Sequence, residues 1–236
     1  MISIYILMSI IFVTFGGSND ENNTNYVDAV DRLCCQAKKL ELFDNIHGYT
    51  RENLINTDEF WKEHSTFILN NKRGFGYWIW KWYLIFETLK KLNNDDIVIY
   101  MDCGCEINYN NAVAKKKFLE YINETKQHDI FGFQMKYREK NWTKNDVFQH
   151  LGSAQSDINS GQLNAAVVFI KKTQKNMEFV SELYSLIISN NYHFLDDSPS
   201  IVRNDGTFRK HRHDQSCYSL LMKKYKKHYI LDETQF

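Results

Sequence analysis

The chain has 236 residues, 43% of them hydrophobic and 25% charged, with 29 basic and 29 acidic side chains. That length fits one large domain, and the apolar share is enough for a full core. Zero net charge leaves no electrostatic footprint for nucleic acid or an anionic membrane, so neither is an expected partner.

Residues 1–15 are strongly apolar but lack a basic leading region and a small-residue cleavage site, so they do not read as a signal peptide. They are also short for a membrane span. We read 10–15 as the first core strand, closed by Gly16 and Gly17, with 1–7 as an N-terminal extension. The five cysteines are odd in number and lack zinc spacing, which suits reduced thiols in a cytoplasmic compartment.

A polar, Asn-rich loop follows at 18–25. Apolar residues at Tyr26, Val27, Val30, Leu33, Cys34, Ala37 and Leu40 then recur at a helical period. Residues 43–49 predict a second strand, and 58–69 and 77–92 predict helices. A strand at 97–101 is followed by a helix at 112–124, a strand at 129–133 and a short helix at 142–151. A strand at 163–170, a helix at 177–189, a loop holding the only proline, Pro199, and a helix ending at 224 complete the pattern. Alternating strands and helices predict an α/β fold with a largely parallel central sheet flanked by helices. Nothing divides the chain, so a single domain over 1–236 is expected.

Three segments carry chemistry. The apolar run Ile97 to Met101 ends in Asp102, at the strand end where open α/β sheets bind ligands. Asp102 either caps a turn with Gly104 or meets a cation or sugar hydroxyl. The segment Arg73-Gly-Phe-Gly-Tyr-Trp-Ile-Trp-Lys81 either holds a diphosphate at a helix start, through Arg73 and Lys81, or is a structural turn anchored by tryptophan. His211-Arg-His-Asp-Gln-Ser216 gathers imidazoles and a carboxylate suited to Mn²⁺ or Mg²⁺. Asp214 there is alternatively a base for an acceptor hydroxyl, or simply a helix cap. Lys144 and Asp146, after Trp142, and Gln162, ahead of a core strand, are weaker ligand candidates.

In this order the segments resemble a family of small glycosyltransferases with the GT-A fold, known from surface-polysaccharide gene clusters and some large DNA viruses. The likeness runs from Ile10 to about Tyr225. It implies transfer of a hexosyl or deoxyhexosyl group from a UDP- or GDP-sugar to a hydroxyl of a glycan or glycoprotein, aided by Mn²⁺ or Mg²⁺. The setting would be the cytoplasm, or the host cytoplasm if the chain is viral. Under this resemblance Thr14, Phe15 and Gly16 lie by the nucleotide, and Arg73 and Lys81 face the diphosphate. Tyr77, Asp102, Lys144, Gln162 and Gln215 complete the donor site. Asp102 and His213 hold the metal, and Asp214 and Asp146 are catalytic. The chain departs from the family where Gly104 replaces the second acid of D-x-D, with Glu106 two residues on, and where Trp82 replaces a proline. A catalytically inactive carbohydrate- or nucleotide-binding module of the same fold is the alternative.

Overall fold

Side chains alternate in direction along a strand, and this sorts the apolar residues onto the two faces of one seven-stranded sheet. The computed structural model describes residues 8–20 and 22–234, so the expected extension at 1–7 lies outside the described residues. The strands are β1 (Ile10–Gly16), β2 (Asn45–Thr50), β3 (Ile97–Met101), β4 (Ile130–Arg138), β5 (Gly161–Leu163), β6 (Val167–Lys171) and β7 (His228–Leu231). The helices are α1 (Asn25–Leu40), α2 (Arg51–Ile55), α3 (Asp58–Asn70), the single turn α4 (Gly74–Tyr77), α5 (Ile79–Lys90) and α6 (Ala112–His128). They continue with α7 (Glu139–Trp142), α8 (Asn145–Leu151), α9 (Gln155–Asn159), α10 (Gln174–Tyr192) and α11 (His213–Lys224).

Strand order is β2-β1-β3-β6-β4-β5, with β7 also paired to β4. Pairing is parallel at β2–β1, β1–β3 and β4–β7, and antiparallel at β3–β6, β6–β4 and β4–β5. The mixed α/β class with a helix-flanked sheet is therefore as expected, and β1 lies buried between two parallel neighbours. Ile11, Val13, Phe15, Val98 and Tyr100 face α5, α10 and α11, whereas Phe12, Ile97, Ile99 and Met101 face α1 and α6. Among the described residues, no helix is long and apolar enough to cross a membrane.

Four local departures from the sequence pattern matter. The predicted strand at 163–170 is split, because the Asn164 side chain accepts from the Ala166 N–H at 2.8 Å and bends the chain there. The helix predicted at 77–92 begins only at Ile79, after five consecutive left-handed residues from Gly74 to Trp78. The helix predicted at 142–151 begins only at Asn145 as α8, and Trp142 instead ends the separate turn α7. Strand β7 was not anticipated, since its four residues gain their identity from pairing with distant β4.

Helix α11 is fixed to the sheet by a fully buried polar network. Lys223 Nζ donates to Glu139 Oε1 at 2.7 Å and to the Gly161 carbonyl at 2.7 Å. Ser219 also hydrogen-bonds Glu139, and Gln162 donates to Glu139 Oε2 at 3.1 Å. Paired and fully bonded, these charges hold the C-terminal half of α11 against the end of β4 and the start of β5.

Candidate active site

The site is built where β3 ends, where the β5–β6 break opens, and where α5 and α11 begin. Lys81 comes from the first turns of α5 and is 2% exposed. Its ammonium lies 3.2 Å from Asp102 Oδ1 and 3.1 Å from Asp214 Oδ2, and donates to the Ala165 carbonyl at 3.1 Å. The strand break frees that carbonyl. Tyr100 donates its hydroxyl to the same Asp102 oxygen at 2.7 Å, and burial keeps this phenol firmly protonated.

Two carboxylates thus share one ammonium. Burial opposes the charge on Lys81, but the two carboxylates outweigh it and hold its pKa above the ordinary value. Asp214 is pushed up to about 6, first by burial and then by Asp102, with Lys81 pulling the other way. Although Asp214 Oδ2 is ion-paired at 3.1 Å, it has no well-directed hydrogen bond. A buried carboxylate in that condition is a poised proton acceptor.

Above this triad lies a cleft of ≈ 340 Å³ lined by Arg73, Trp78, Trp142, Lys210, Arg212 and His213, among others. Arg73 reaches Asp197 at 3.4 Å and lies over the Trp78 ring, 5.9 Å from its centroid. Arg212 lies over the Trp142 ring at 4.4 Å. Three cations and two indole faces therefore surround a floor that already carries its own counter-ion. A second cavity, ≈ 710 Å³, opens on the α6 side of the sheet and shares Ala166 as a wall with the first.

The two histidines of the late segment divide in role. His211 donates from Nε2 to the Phe194 carbonyl at 2.8 Å and accepts the Lys144 N–H at Nδ1, so both nitrogens are engaged. His213 uses Nδ1 on the Leu195 carbonyl at 2.7 Å, which leaves Nε2 buried with no hydrogen-bond partner. Burial lowers its pKa to about 4, so the ring is neutral near pH 7 and Nε2 presents a lone pair. Its nearest acid is Asp197, with Oδ1 at 3.8 Å.

Of the residues singled out by sequence, Arg73, Lys81, Asp102, His213, Asp214 and Gln215 line one cleft, and Tyr77 stacks on His213 at 4.6 Å. The others are placed elsewhere. The Phe15 ring packs in the core, 3.9 Å from the Trp80 ring centroid. Thr14 is fully buried, and any side chain at Gly16 would meet the Tyr26 carbonyl at 2.4 Å. Lys144 is spent on the His193 carbonyl, Asp196 and Ser198. Asp146 accepts from His193 Nε2 and from the N–H groups of Ile201 and Val202, so it clamps a loop instead of facing the cleft. Burial alone would raise its pKa, but these three donors hold it below the usual range. Gln162 is bonded to Glu139, Thr143, Ser216 and Gln215, bracing α11. The sequence reading passed over Asp197, Lys210 and Arg212 as site residues. The acid pair before Pro199 and the basic residues inside the late segment were the available signals.

Glu106 is turned away: its side chain is 78% exposed and meets Arg32 at 3.7 Å. Arg32 also donates to the Cys103 and Cys105 carbonyls, pinning the loop after Asp102. Burial pushes the Cys105 thiol up to about 12, so it is no nucleophile at neutral pH.

No family model matches the chain, and no curated protein matches it. Some solved structures are distantly similar to it. One is a glycosyltransferase involved in glycosylation of the major capsid of PBCV-1, with 12% identity over 95% of this chain and 81% of that one, and a TM-score of 0.49. Another is mouse xyloside xylosyltransferase 1, with 12% identity over 94% and 84% and a TM-score of 0.47. A third is 4-diphosphocytidyl-2C-methyl-D-erythritol synthase from Anaerococcus prevotii, with 10% identity over 97% and 89% and a TM-score of 0.41.

Proposed function

We propose that the chain moves a sugar from a nucleoside-diphosphate sugar, a UDP- or GDP-sugar, to an acceptor hydroxyl of a glycan. The observation that carries this reading is the Lys81 ammonium shared by Asp102 and Asp214 beneath a cleft walled by Arg73, Lys210 and Arg212. A departing nucleoside diphosphate gathers negative charge on its leaving oxygen. Fixed cations in a partly dry cleft stabilise that charge as it forms, commonly the largest catalytic effect. The Trp78 and Trp142 faces suit the flat apolar side of a sugar or base.

Asp214, with a pKa of about 6, is ionised at neutral pH and still basic enough to draw a proton from an acceptor hydroxyl. Lys81 then keeps Asp102 neutralised while Asp214 carries the proton. A two-substrate reaction needs two adjoining spaces, and we assign the acceptor to the larger cavity that shares Ala166 with the cleft.

A divalent ion fits this cleft as a companion of the donor. The unpartnered Nε2 of His213 and the partly exposed carboxylate of Asp102 offer an imidazole and an oxygen, and the donor's phosphate and water complete the shell. When bound, Mn²⁺ or Mg²⁺ supplies Lewis-acid stabilisation of the leaving phosphate. Five free thiols suit a reducing compartment, and we assign the cytoplasm.

The test is a panel of UDP- and GDP-sugars with Mn²⁺ and glycan acceptors, following released nucleotide. Turnover of a donor that disappears in a folded Asp214→Asn variant is the expected result. Absence of donor binding across the panel would overturn the reading. Binding without release would favour the inactive module, the alternative to which the exposed Gly104 points.

A further inference from the structure

We propose a second, structural metal site, formed by Glu124, His128 and His228 and selective for a zinc-like transition ion. Among the described residues this is the one place where three His, Cys, Asp or Glu donors lie within 4.8 Å of one another. Glu124 and His128 stand four residues apart on α6, so they share a face, and His228 opens β7 beside them. The pairing of β4 with β7 sets His228 opposite Phe131, which fixes its height against the end of α6.

The spacing suits the ion. Donors held at about 2.0–2.1 Å in a tetrahedral zinc shell lie roughly 3.3 Å from one another. Glu124 Oε2 lies 3.0 Å from His228 Nε2 and 3.6 Å from His128 Nε2, on either side of that value. The two imidazole rings are stacked neighbours, with centroids 3.9 Å apart and 24° from parallel, so one ring must turn for both lone pairs to converge on an ion. Two imidazoles and one carboxylate favour zinc-like ions over Mg²⁺ or Ca²⁺, which take oxygen shells. Both helical donors lie in the last turns of α6, where the helix dipole favours positive charge. Side-chain exposures of 38%, 42% and 33% for Glu124, His128 and His228 leave an open path for entry and room for a water as fourth ligand.

The position separates this site from the cleft. Strand β4 starts beside the cluster at Ile130 and runs to Arg138, after which α7 delivers Trp142 to the cleft wall. The ion therefore lies at the opposite end of β4 from the proposed chemistry. There it would clip β7 to α6, and the segment after β7 places Glu233 and Thr234 in the wall of the larger cavity. The inference does not depend on the sugar-transfer reading.

The experiment titrates Zn²⁺ alone into the metal-stripped full chain by calorimetry, with Co²⁺ absorption as a probe of ligand type and thermal melting as a probe of stability. Expected are one tight equivalent, a tetrahedral Co²⁺ spectrum without a thiolate charge-transfer band, and a higher melting temperature with Zn²⁺. His128→Ala and His228→Ala should each weaken binding at least tenfold and lose the melting shift, whereas Asp102→Asn should keep both. Glu124→Gln, which keeps the shape, supplies the same comparison if an alanine variant folds poorly. Unchanged affinity in these variants, no stoichiometric binding, or a thiolate band in the Co²⁺ spectrum would each overturn the proposal.

Discussion

The rings of Tyr77 and His213 lie face to face, 4.6 Å apart and 20° from parallel, and each residue reaches that position through a left-handed backbone, φ 54° and 51°. Gly74, Phe75, Gly76, Tyr77 and Trp78 form an unbroken left-handed stretch. For a residue with a side chain that conformation costs about 1–2 kcal/mol. Strain of this kind persists where surrounding structure over-determines it, and here it aims two aromatic rings at one imidazole.

Gly74→Ala tests this arrangement. The added methyl would sit 2.6 Å from the Trp78 ring at a φ of +58°. Denaturant unfolding should show a loss of about 1–2 kcal/mol from the backbone alone. Turnover should fall further than stability explains, because Trp78 and His213 must move together. Full activity in this variant would mean the stretch is only a scaffold.

The pH dependence follows from Asp214. Its carboxyl titrates at about 6, so kcat/KM should fall tenfold per unit as pH drops below that value. The stability effect has the opposite sign. A folded pKa raised above the ordinary 3.8 favours the protonated folded form. That contribution is complete below about 3.8 and is lost as pH rises through about 6. Asp214→Asn should therefore remove the acid limb together with turnover, without loss of stability at pH 7. A limb that survives in the residual activity would assign it to another group.

Lys81→Met removes the ammonium that Asp102 and Asp214 share. Breaking such a group by deleting one partner costs roughly 3–5 kcal/mol. The penalty should shrink near pH 5, where Asp214 accepts a proton and the repulsion with Asp102 fades. Equal destabilisation at pH 5 and pH 8 would show that lost packing, not charge, is the cause.

Gly104→Asp supplies the second acid that the resemblance to GT-A glycosyltransferases implies at this position. A side chain at that position would meet nothing within 4 Å, and its backbone is not left-handed. Melting should therefore change little, within about 0.5 kcal/mol. Manganese should bind more tightly in the presence of a nucleoside diphosphate, measured by electron paramagnetic resonance of free Mn²⁺. No change in that affinity would show that residue 104 does not face the ion.

Much of the frame was legible because it is local. The apolar run Ile97 to Met101 gave β3 to the residue, and the spacing from Val30 to Leu40 gave the buried face of α1. Asp102, Lys81 and Asp214 were also visible, since strand ends and helix starts are where polar chemistry concentrates. Their union into one ion cluster was not, because it depends on how α5 and α11 meet across the β5–β6 break. Lys144 and Asp146 lie outside that cluster for the same reason. Their partners, among them His193, Asp196 and Val202, lie far along the chain, and no local pattern announces that a loop will absorb a charged pair. The left-handed stretch ran against the propensity of aromatic residues, so the periodic reading carried a helix through Tyr77 and Trp78.

Strand β7 has a consequence for how the chain is made. The stretch of β4 from Phe131 to Gln134 takes its parallel partner from residues 228–231, at the far end of the chain. During synthesis that stretch of β4 emerges with its outward N–H and C=O groups unpaired, and it stays so until β7 leaves the ribosome. An apolar strand with an open edge is a template for pairing with a neighbouring nascent chain. Released chains truncated before His228 should accordingly be held by chaperones, and released chains that carry β7 through Leu231 should not.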